Sequence, residues 1–193
     1  MSWFHSSIAG FDARNHASSV EIVACFQDQR NVLGRLAFLI TGDQATATVV
    51  QACETTLQGN GPFRDWLLEW AKAATIASAI SHAAEAIRIC EADYKDQRCP
   101  HAEHLSPGDD EERAANLALI LGSDAQTLIS ELDPLCRAVL VLRVAIRSSI
   151  QDCALRLNMP RAAVLAANCH VLMWLHERYV KRVDENCDAL HAL

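Results

Sequence analysis

Apolar residues recur at intervals of three and four along most of this 193-residue chain, which is the spacing of one face of an α-helix. Leu33, Leu36, Ala37 and Ile40 show the pattern most clearly. Strands would instead alternate apolar and polar residues, and such runs are few. Aromatic residues, which strands favour, make up only 6% of the chain. The sequence therefore predicts an all-α protein and argues against a β-sandwich or barrel.

Changes in composition divide the chain into three segments. Residues 17–93 are rich in Ala, Leu and Val, and the Gly and Pro residues of 59–62 interrupt their helical pattern. Residues 94–113 contain Pro, Gly and an acidic run at 109–112, a composition typical of a linker. Helical periodicity returns over 114–183. We therefore expect two helical bundles joined by a flexible acidic linker.

The location of the protein is predicted from what the sequence lacks. No window approaches the ~18 uninterrupted apolar residues of a membrane span. Residues 1–5 show no basic region leading into an apolar core, so we expect a cytoplasmic protein without contact to a membrane. The eight cysteines are spread over the chain, and in the cytoplasm they would be free structural thiols.

One group of residues has the chemistry of zinc ligands. Cys99, His101 and His104 lie close together in sequence, with His82 upstream. The paired spacing of most structural zinc sites is absent, which favours a polar loop over a metal site. Gly-rich phosphate loops, nucleophile elbows and paired-carboxylate motifs are also missing. We therefore expect no metal, no cofactor and no enzymatic activity.

Charge is unevenly distributed along the chain. The formal net charge is −7, yet residues 135–183 carry eight basic side chains against two acidic ones, a surplus of six. The rest of the chain carries nine basic and 22 acidic residues. A basic carboxy-terminal unit on an acidic chain fits either a module that binds nucleic acid or a bundle with a solvated arginine face.

The clearest local motif begins at Ser149, which can cap a helix. Ala154 is small enough for two helices to cross closely, and Asn158 tolerates the left-handed conformation needed to leave a helix. Pro160 then fits the start of a second helix, on which Val164 would point inward. This order of residues predicts a helix-turn-helix.

Further stretches extend the motif into a family pattern. Residues 132–143 read Leu-Asp-Pro-Leu-Cys-Arg-Ala-Val-Leu-Val-Leu-Arg, and residues 36–43 end a helix with Thr-Gly-Asp. Val50-Gln51 and the Phe-Arg-Asp-Trp-Leu-Leu of 63–68 follow in order. With these pieces the chain resembles bacterial RNA polymerase sigma factors of the extracytoplasmic-function (ECF) type. The resemblance covers about residues 30–92 and 130–178.

The resemblance implies a transcription protein that binds core RNA polymerase and directs it to promoter DNA, with an anti-sigma protein as a further candidate partner. Residues 17–93 would form a sigma region 2-like domain, 94–113 the linker, and 114–183 a region 4-like domain. The region 2-like domain would dock on the polymerase and open the promoter, and the region 4-like domain would read the distal promoter element. Candidate DNA contacts in the second domain are Arg143, Arg147, Arg156, Arg161, Asn168 and His170. Candidate promoter-opening residues in the first are Arg64, Trp66, Trp70 and Lys72, although tryptophans at helical spacing also suit a core.

The second helix of the motif departs from the family. Leu165, Ala167 and His170 stand where the family usually has Lys, Arg and Arg. Fewer cations would weaken phosphate binding. An alternative function is therefore a degenerate sigma-like protein that has lost strong DNA reading and acts as a protein-interaction module. In that case Leu165, Leu172 and Trp174 would form an apolar stripe for a partner, unless they are simply buried in the bundle.

Overall fold

The computed structural model describes residues 15–59, 61–95, 97 and 131–191. In these ranges the chain is helical, and the prediction of an all-α protein is confirmed. The helices are α1 (Ser19–Asp28), α2 (Arg30–Thr41), α3 (Ala45–Gln58), α4 (Leu67–Tyr94), α5 (Pro134–Val144), α6 (Ile150–Leu157) and α7 (Arg161–His191). None of these helices combines the length and apolar character that crossing a membrane requires.

Local signals set the ends of the first helices. The Ser18 side chain caps α1, and Glu21 returns a hydrogen bond to the Ser18 backbone, which completes a capping box. Helix α2 ends where the sequence predicts, because Gly42 adopts a φ of 61° that favours glycine. A short 3₁₀ turn, Gly42–Gln44, then leads directly into α3.

Two chain segments, residues 15–17 and 61–64, are hydrogen-bonded to each other just before α4. His16 and Phe63 form an isolated antiparallel bridge, and the Ala17 amide donates to the Pro62 carbonyl at 2.8 Å. A Cβ on Gly61 would lie 2.6 Å from the Ala17 carbonyl oxygen, so only glycine fits this crossing. The chain then makes a 3₁₀ turn, Arg64–Trp66, before α4 begins.

Helix α5 is largely buried among the other described helices. Asp133 caps its amino terminus, accepting a 2.9 Å hydrogen bond from the Cys136 amide, and Pro134 occupies the first helical turn. Its side chains are buried on nearly every side, and α5 packs against α2, α4, α6 and α7. The fully or almost fully buried residues are Leu135, Cys136, Ala138, Val139, Leu140, Val141 and Leu142. A helix that is apolar except for two arginines, Arg137 and Arg143, and is buried on most sides is typical of a protein interior.

The main core includes residues from both halves of the chain. Leu36, Ile76 and Ile87 of the first half share one cluster with Val139 and Val164 of the second. A smaller cluster around Ile22, Phe26 and Leu33 lies between α1, α2, α3 and the first turns of α4. The division into two bundles therefore stays a prediction, and nearly all of the predicted 94–113 linker lies outside the described residues.

Candidate nucleic-acid interface

Helices α6 and α7 are joined by a tight turn, and the residues predicted to cap α6 and to end it do so. Ser149 caps α6 in a capping box with Asp152, and the Ser149 hydroxyl donates to the Asp152 carboxylate at 2.7 Å. These hydrogen bonds lower the pKa of the Asp152 carboxyl. Asn158 adopts the left-handed conformation, with φ 52° and ψ 49°. The Met159 amide bonds to the Ala154 carbonyl at 3.0 Å, which is the closing bond of a Schellman motif.

Three of the predicted DNA-contact arginines are exposed around this turn. Arg147 lies in the loop before α6, Arg156 in the last turn of α6, and Arg161 at the first position of α7. Arg147 has a φ of 59°, which is unusual for a residue with a side chain. His170 is also exposed, and its ring meets that of Tyr94 edge-on at 6.3 Å. Arg156 and Arg161 are therefore accessible to a polyanionic ligand.

Of the predicted DNA contacts, Asn168 is buried, and Arg143 is half-buried with its guanidinium bonded to the protein. Asn168 is only 1% exposed, and its Oδ1 accepts a 3.2 Å hydrogen bond from Arg143 Nε. Arg143 also donates to the backbone carbonyl of Ser148 at 2.7 Å. The two side chains therefore tie α5 to α7 and to the loop before α6. In this conformation the prediction that Asn168 contacts DNA is wrong, because the protein surrounds its amide.

Much of the amino-terminal half of α7 is inaccessible. Ala163, Val164 and Ala167 face the core, as a helix-turn-helix needs for Val164. Ala166 and Cys169, on a different side of the helix, are also only 4% and 5% exposed. Few positions near the start of this helix could therefore approach the edges of bases, because those edges are reached only by side chains that enter a groove.

The apolar stripe considered from the sequence is not a continuous surface. Leu172 and Trp174 pack against the main core, and Leu165 is half-buried. The Trp174 indole donates to the Glu131 carboxylate at 3.0 Å. The large apolar side chains that are exposed in this part of the described chain are Leu155 and Met173.

The predicted promoter-opening residues lie together at the start of α4. Trp66 and Trp70 are 72% and 51% exposed, so the alternative that they belong to the core is wrong. Lys72 is paired with Glu69 at 2.7 Å. Arg64 is held by Glu21 in a two-point contact, with Nε 2.7 Å from Oε1 and Nη2 3.2 Å from Oε2. Both predicted cations are thus already engaged with carboxylates.

Glu21 is a residue of this surface that the sequence reasoning missed. The Ser18 backbone and hydroxyl donate to its carboxylate, and together with Arg64 they lower the pKa of Glu21 to about 2. The capping-box spacing of Ser18 and Glu21 could have indicated the first contact. The contact between Glu21 and Arg64 joins residues 43 positions apart, so no local sequence pattern could have predicted it.

The depressed pKa of Glu21 predicts an acid-sensitive contribution to stability. Folding favours the charged carboxylate, so the contribution is complete above the ordinary pKa of 4.5 and is lost as the pH falls towards about 2. Glu21→Gln should therefore lower the melting temperature at pH 6 and have little effect near pH 2. Thermal unfolding across this range measures the difference. Ser18→Ala keeps the carboxylate and the bond from the backbone amide of residue 18 but removes the bond from the hydroxyl, and should therefore show a weaker pH dependence of the same sign. A gap between wild type and Glu21→Gln that stays constant with pH would contradict the assignment.

The cysteines depart from the sequence prediction at one position. Cys169 is disulfide-bonded, so the prediction that all eight are free thiols is wrong there. Free thiols are present at Cys25, Cys53, Cys90, Cys136 and Cys153. Burial raises the pKa of Cys153 to about 11 and also raises that of Cys136, so these two thiols are poor nucleophiles.

Metal binding has no support in the part of the chain that the structure describes. No group of three or more candidate metal-ligating residues occurs within 15–59, 61–95, 97 and 131–191. Cys99, His101 and His104 lie outside these ranges. His82 is exposed, and its Nδ1 lies 2.9 Å from the hydroxyl of the buried Thr48. The Thr48 hydroxyl also donates to the Gln44 carbonyl, so the hydrogen shared with His82 comes from the imidazole.

An open cleft of about 870 Å³ lies between α1, α2 and α3. Apolar side chains such as Phe26, Phe38 and Val49 line it, with Arg30 and Glu54 among its polar residues. None of the predicted site residues borders this cleft, so it is not part of the predicted interface. Comparison with known proteins adds no further assignment, because no family model, curated protein or solved structure matches this chain.

Proposed function

We propose that this chain is a sigma-factor-like protein of transcription initiation, which binds core RNA polymerase and directs it to promoter DNA. The proposal interprets α6, the turn at Asn158 and α7 as a helix-turn-helix in a carboxy-terminal DNA-binding unit. The observation that carries it is the exposure of Arg156 and Arg161 on either side of that turn. Phosphate neutralisation by such side chains supplies most of the affinity in many protein–DNA complexes.

The division of roles in this proposal follows the sequence resemblance. The amino-terminal helices α1 to α4 would contact the polymerase, and the unit from α5 onwards would contact the duplex. Arg156 and Arg161 lie on either side of the turn, so their guanidinium groups suit contacts to the phosphates that flank a groove. The burial of Asn168, Ala166 and Cys169 limits base reading, and we expect a binding mode dominated by the DNA backbone.

Charge reversal at Arg161 tests the DNA-binding part of the proposal. Arg161→Glu replaces an attraction to phosphate by a repulsion, and we expect a drop in duplex affinity of about tenfold or more at low salt. Fluorescence anisotropy with a labelled duplex, measured over a range of salt concentrations, reports both the affinity and the salt slope. Arg30→Glu is the matched control, because Arg30 is exposed at the start of α2 and an acidic residue is tolerated there. Equal losses in both variants, or binding that is independent of salt, would contradict the proposal.

A second candidate function is a protein-interaction or regulatory module that keeps the sigma-like helices without reading DNA. The burial of Ala166 and Cys169 favours this candidate, because it leaves little of α7 free to enter a groove. Co-purification with core RNA polymerase followed by promoter-dependent transcription distinguishes the two. Polymerase binding with promoter-dependent transcripts supports the first function. Polymerase binding, or binding of another protein, without such transcripts supports the second.

A further inference from the structure

Three large aromatic side chains form an exposed surface where α4 begins. Phe63, Trp66 and Trp70, called the aromatic face below, are 55%, 72% and 51% exposed. Trp66 and Trp70 are four residues apart, so they lie on the same side of the helical turn. Exposed aromatic side chains in one group are uncommon on a protein surface without a ligand, and they mark sites of interaction.

The backbone that carries the aromatic face is held in place from two directions. The Phe63 ring stacks on the His16 ring with their centroids 4.5 Å apart. The Arg64 amide donates to the Asn15 carbonyl at 2.8 Å, and the His16 imidazole donates to the Gly61 carbonyl. A surface fixed in this way loses little conformational entropy when a ligand binds.

The charges beside the aromatic face are unfavourable for a nucleic acid. Arg64 is engaged with Glu21, and Lys72 is engaged with Glu69. Asp65 adds a third carboxylate, and it is exposed between Phe63 and Trp66. Among the described residues next to the face in sequence or in these ion pairs, three carboxylates therefore stand against two cations. Proteins that stack single-stranded bases on aromatic rings combine them with a cationic groove, and this surface has an acidic balance instead.

The same surroundings suit a cationic ligand. The face of an indole ring attracts a guanidinium or ammonium group through its quadrupole, and tryptophan does so better than the other aromatic residues. Carboxylates near the rings add a second attraction and can accept hydrogen bonds from a guanidinium. Asp65 and Glu69 are both exposed and lie on the turns that carry Trp66 and Trp70.

We propose that the aromatic face, together with Asp65 and Glu69, is a docking surface for an arginine- or lysine-rich segment of a partner protein. Cationic side chains of the partner lie over the indole rings of Trp66 and Trp70 and pair with Asp65, and with Glu69 in exchange for its exposed contact with Lys72. This surface is separate from the arginines around the α6–α7 turn, so the inference does not depend on the sigma-like function. It places a protein, rather than an open DNA strand, at the start of α4.

The test compares two ligands on the same 193-residue chain. A short arginine-rich peptide and a single-stranded oligothymidylate are titrated at low salt, with calorimetry as the readout. We expect the peptide to bind and Trp66→Ala/Trp70→Ala to weaken it about tenfold or more. Leu155→Ala is the matched control, since Leu155 is an exposed apolar residue on α6. Both tryptophans are exposed, so circular dichroism should show an unchanged helical content.

Charge variants give the sharper result because the two ligands respond with opposite signs. Asp65→Asn/Glu69→Gln should weaken the peptide several-fold and should not weaken the oligonucleotide. Glu85→Gln is the matched control, because Glu85 pairs with Arg88 three residues on in the same way that Glu69 pairs with Lys72. Because Glu85 is a carboxylate away from the aromatic face, this control also shows whether the peptide binds at one site or is attracted to the negative charge of the whole chain.

Each other outcome overturns the proposal. Oligonucleotide binding that Trp66→Ala/Trp70→Ala abolishes would assign the aromatic face to single-stranded DNA. Peptide binding that survives both double variants, or falls equally in Glu85→Gln, would show that the peptide binds elsewhere. The absence of peptide binding at low salt would show that the surface does not recognise cations. None of these results affects duplex binding through Arg161, so the proposed function is tested separately.

Discussion

Arg143→Ala should lower the free energy of unfolding by about 3 kcal/mol, which is a large share of the about 5–15 kcal/mol by which folded proteins are stable. The guanidinium donates to Ser148 O at 2.7 Å and to Asn168 Oδ1 at 3.2 Å. Ser148 and Asn168 are both buried, so truncation leaves two acceptors that water reaches poorly. An unsatisfied buried polar group costs more than the lost bond itself contributes.

Chemical denaturation of the full chain measures this loss. Arg156→Ala is the matched control, because Arg156 is an exposed arginine on α6, and its removal should change stability by about 0.5 kcal/mol or less. Arg143→Lys keeps the charge but cannot reach two acceptors in a fixed fork, so it should recover only part of the stability. If Arg143→Ala unfolds like the wild type and loses only DNA affinity, Arg143 is a DNA contact as its sequence position suggests.

The energetic coupling between Arg143 and Asn168 gives an independent check of this structural role of Arg143. The Nδ2 of Asn168 has no hydrogen-bond partner among the described residues, so the side-chain amide is held through the bond from Arg143 to its oxygen. The loss in Asn168→Ala should therefore not add to the loss in Arg143→Ala, and a coupling of about 0.5–3 kcal/mol is expected for residues in one network. Strict additivity would show that the two side chains act independently.

The features predicted correctly from the sequence are those that depend on near neighbours along the chain. Ser149 caps α6, Asn158 takes the left-handed conformation and Gly42 ends α2, because each acts through backbone groups a few residues away. The all-α prediction has the same basis, since the three-four spacing of apolar residues is local. Val164 is buried for a related reason: its position relative to the turn fixes its side of the helix.

The features that the sequence did not predict depend on residues far apart in the chain. An arginine near an apolar helix looks the same whether it faces DNA or, as Arg143 does, a buried asparagine 25 positions away. Trp66 and Trp70 have the spacing of core residues, and only the packing of α4 shows that they face outward. The disulfide at Cys169 is also a tertiary property, which the even spread of cysteines along the chain does not reveal.

Asp133→Ala should lower the free energy of unfolding by about 3 kcal/mol, because Asp133 stabilises the structure in two ways. Its carboxylate caps α5 through the Cys136 amide, a contribution of about 1 kcal/mol. It also accepts a hydrogen bond from the hydroxyl of Tyr94 at the end of α4, and a bond to a charged group contributes about 1.5–3 kcal/mol. Burial raises the pKa of Tyr94, and the bond to Asp133 raises it further, so the phenol stays protonated and remains a donor.

Ser149→Ala is the matched control, because Ser149 caps α6 without a tyrosine partner and its loss should cost about 1 kcal/mol. Tyr94→Phe removes only the hydroxyl and should cost about 2 kcal/mol. In the double variant the losses should fall short of their sum by about the energy of the shared bond. Tyr94 and Asp133 belong to the two halves of the chain, so this coupling measures how firmly α4 packs against α5. A coupling of zero would mean that the shared core forms without help from this hydrogen bond.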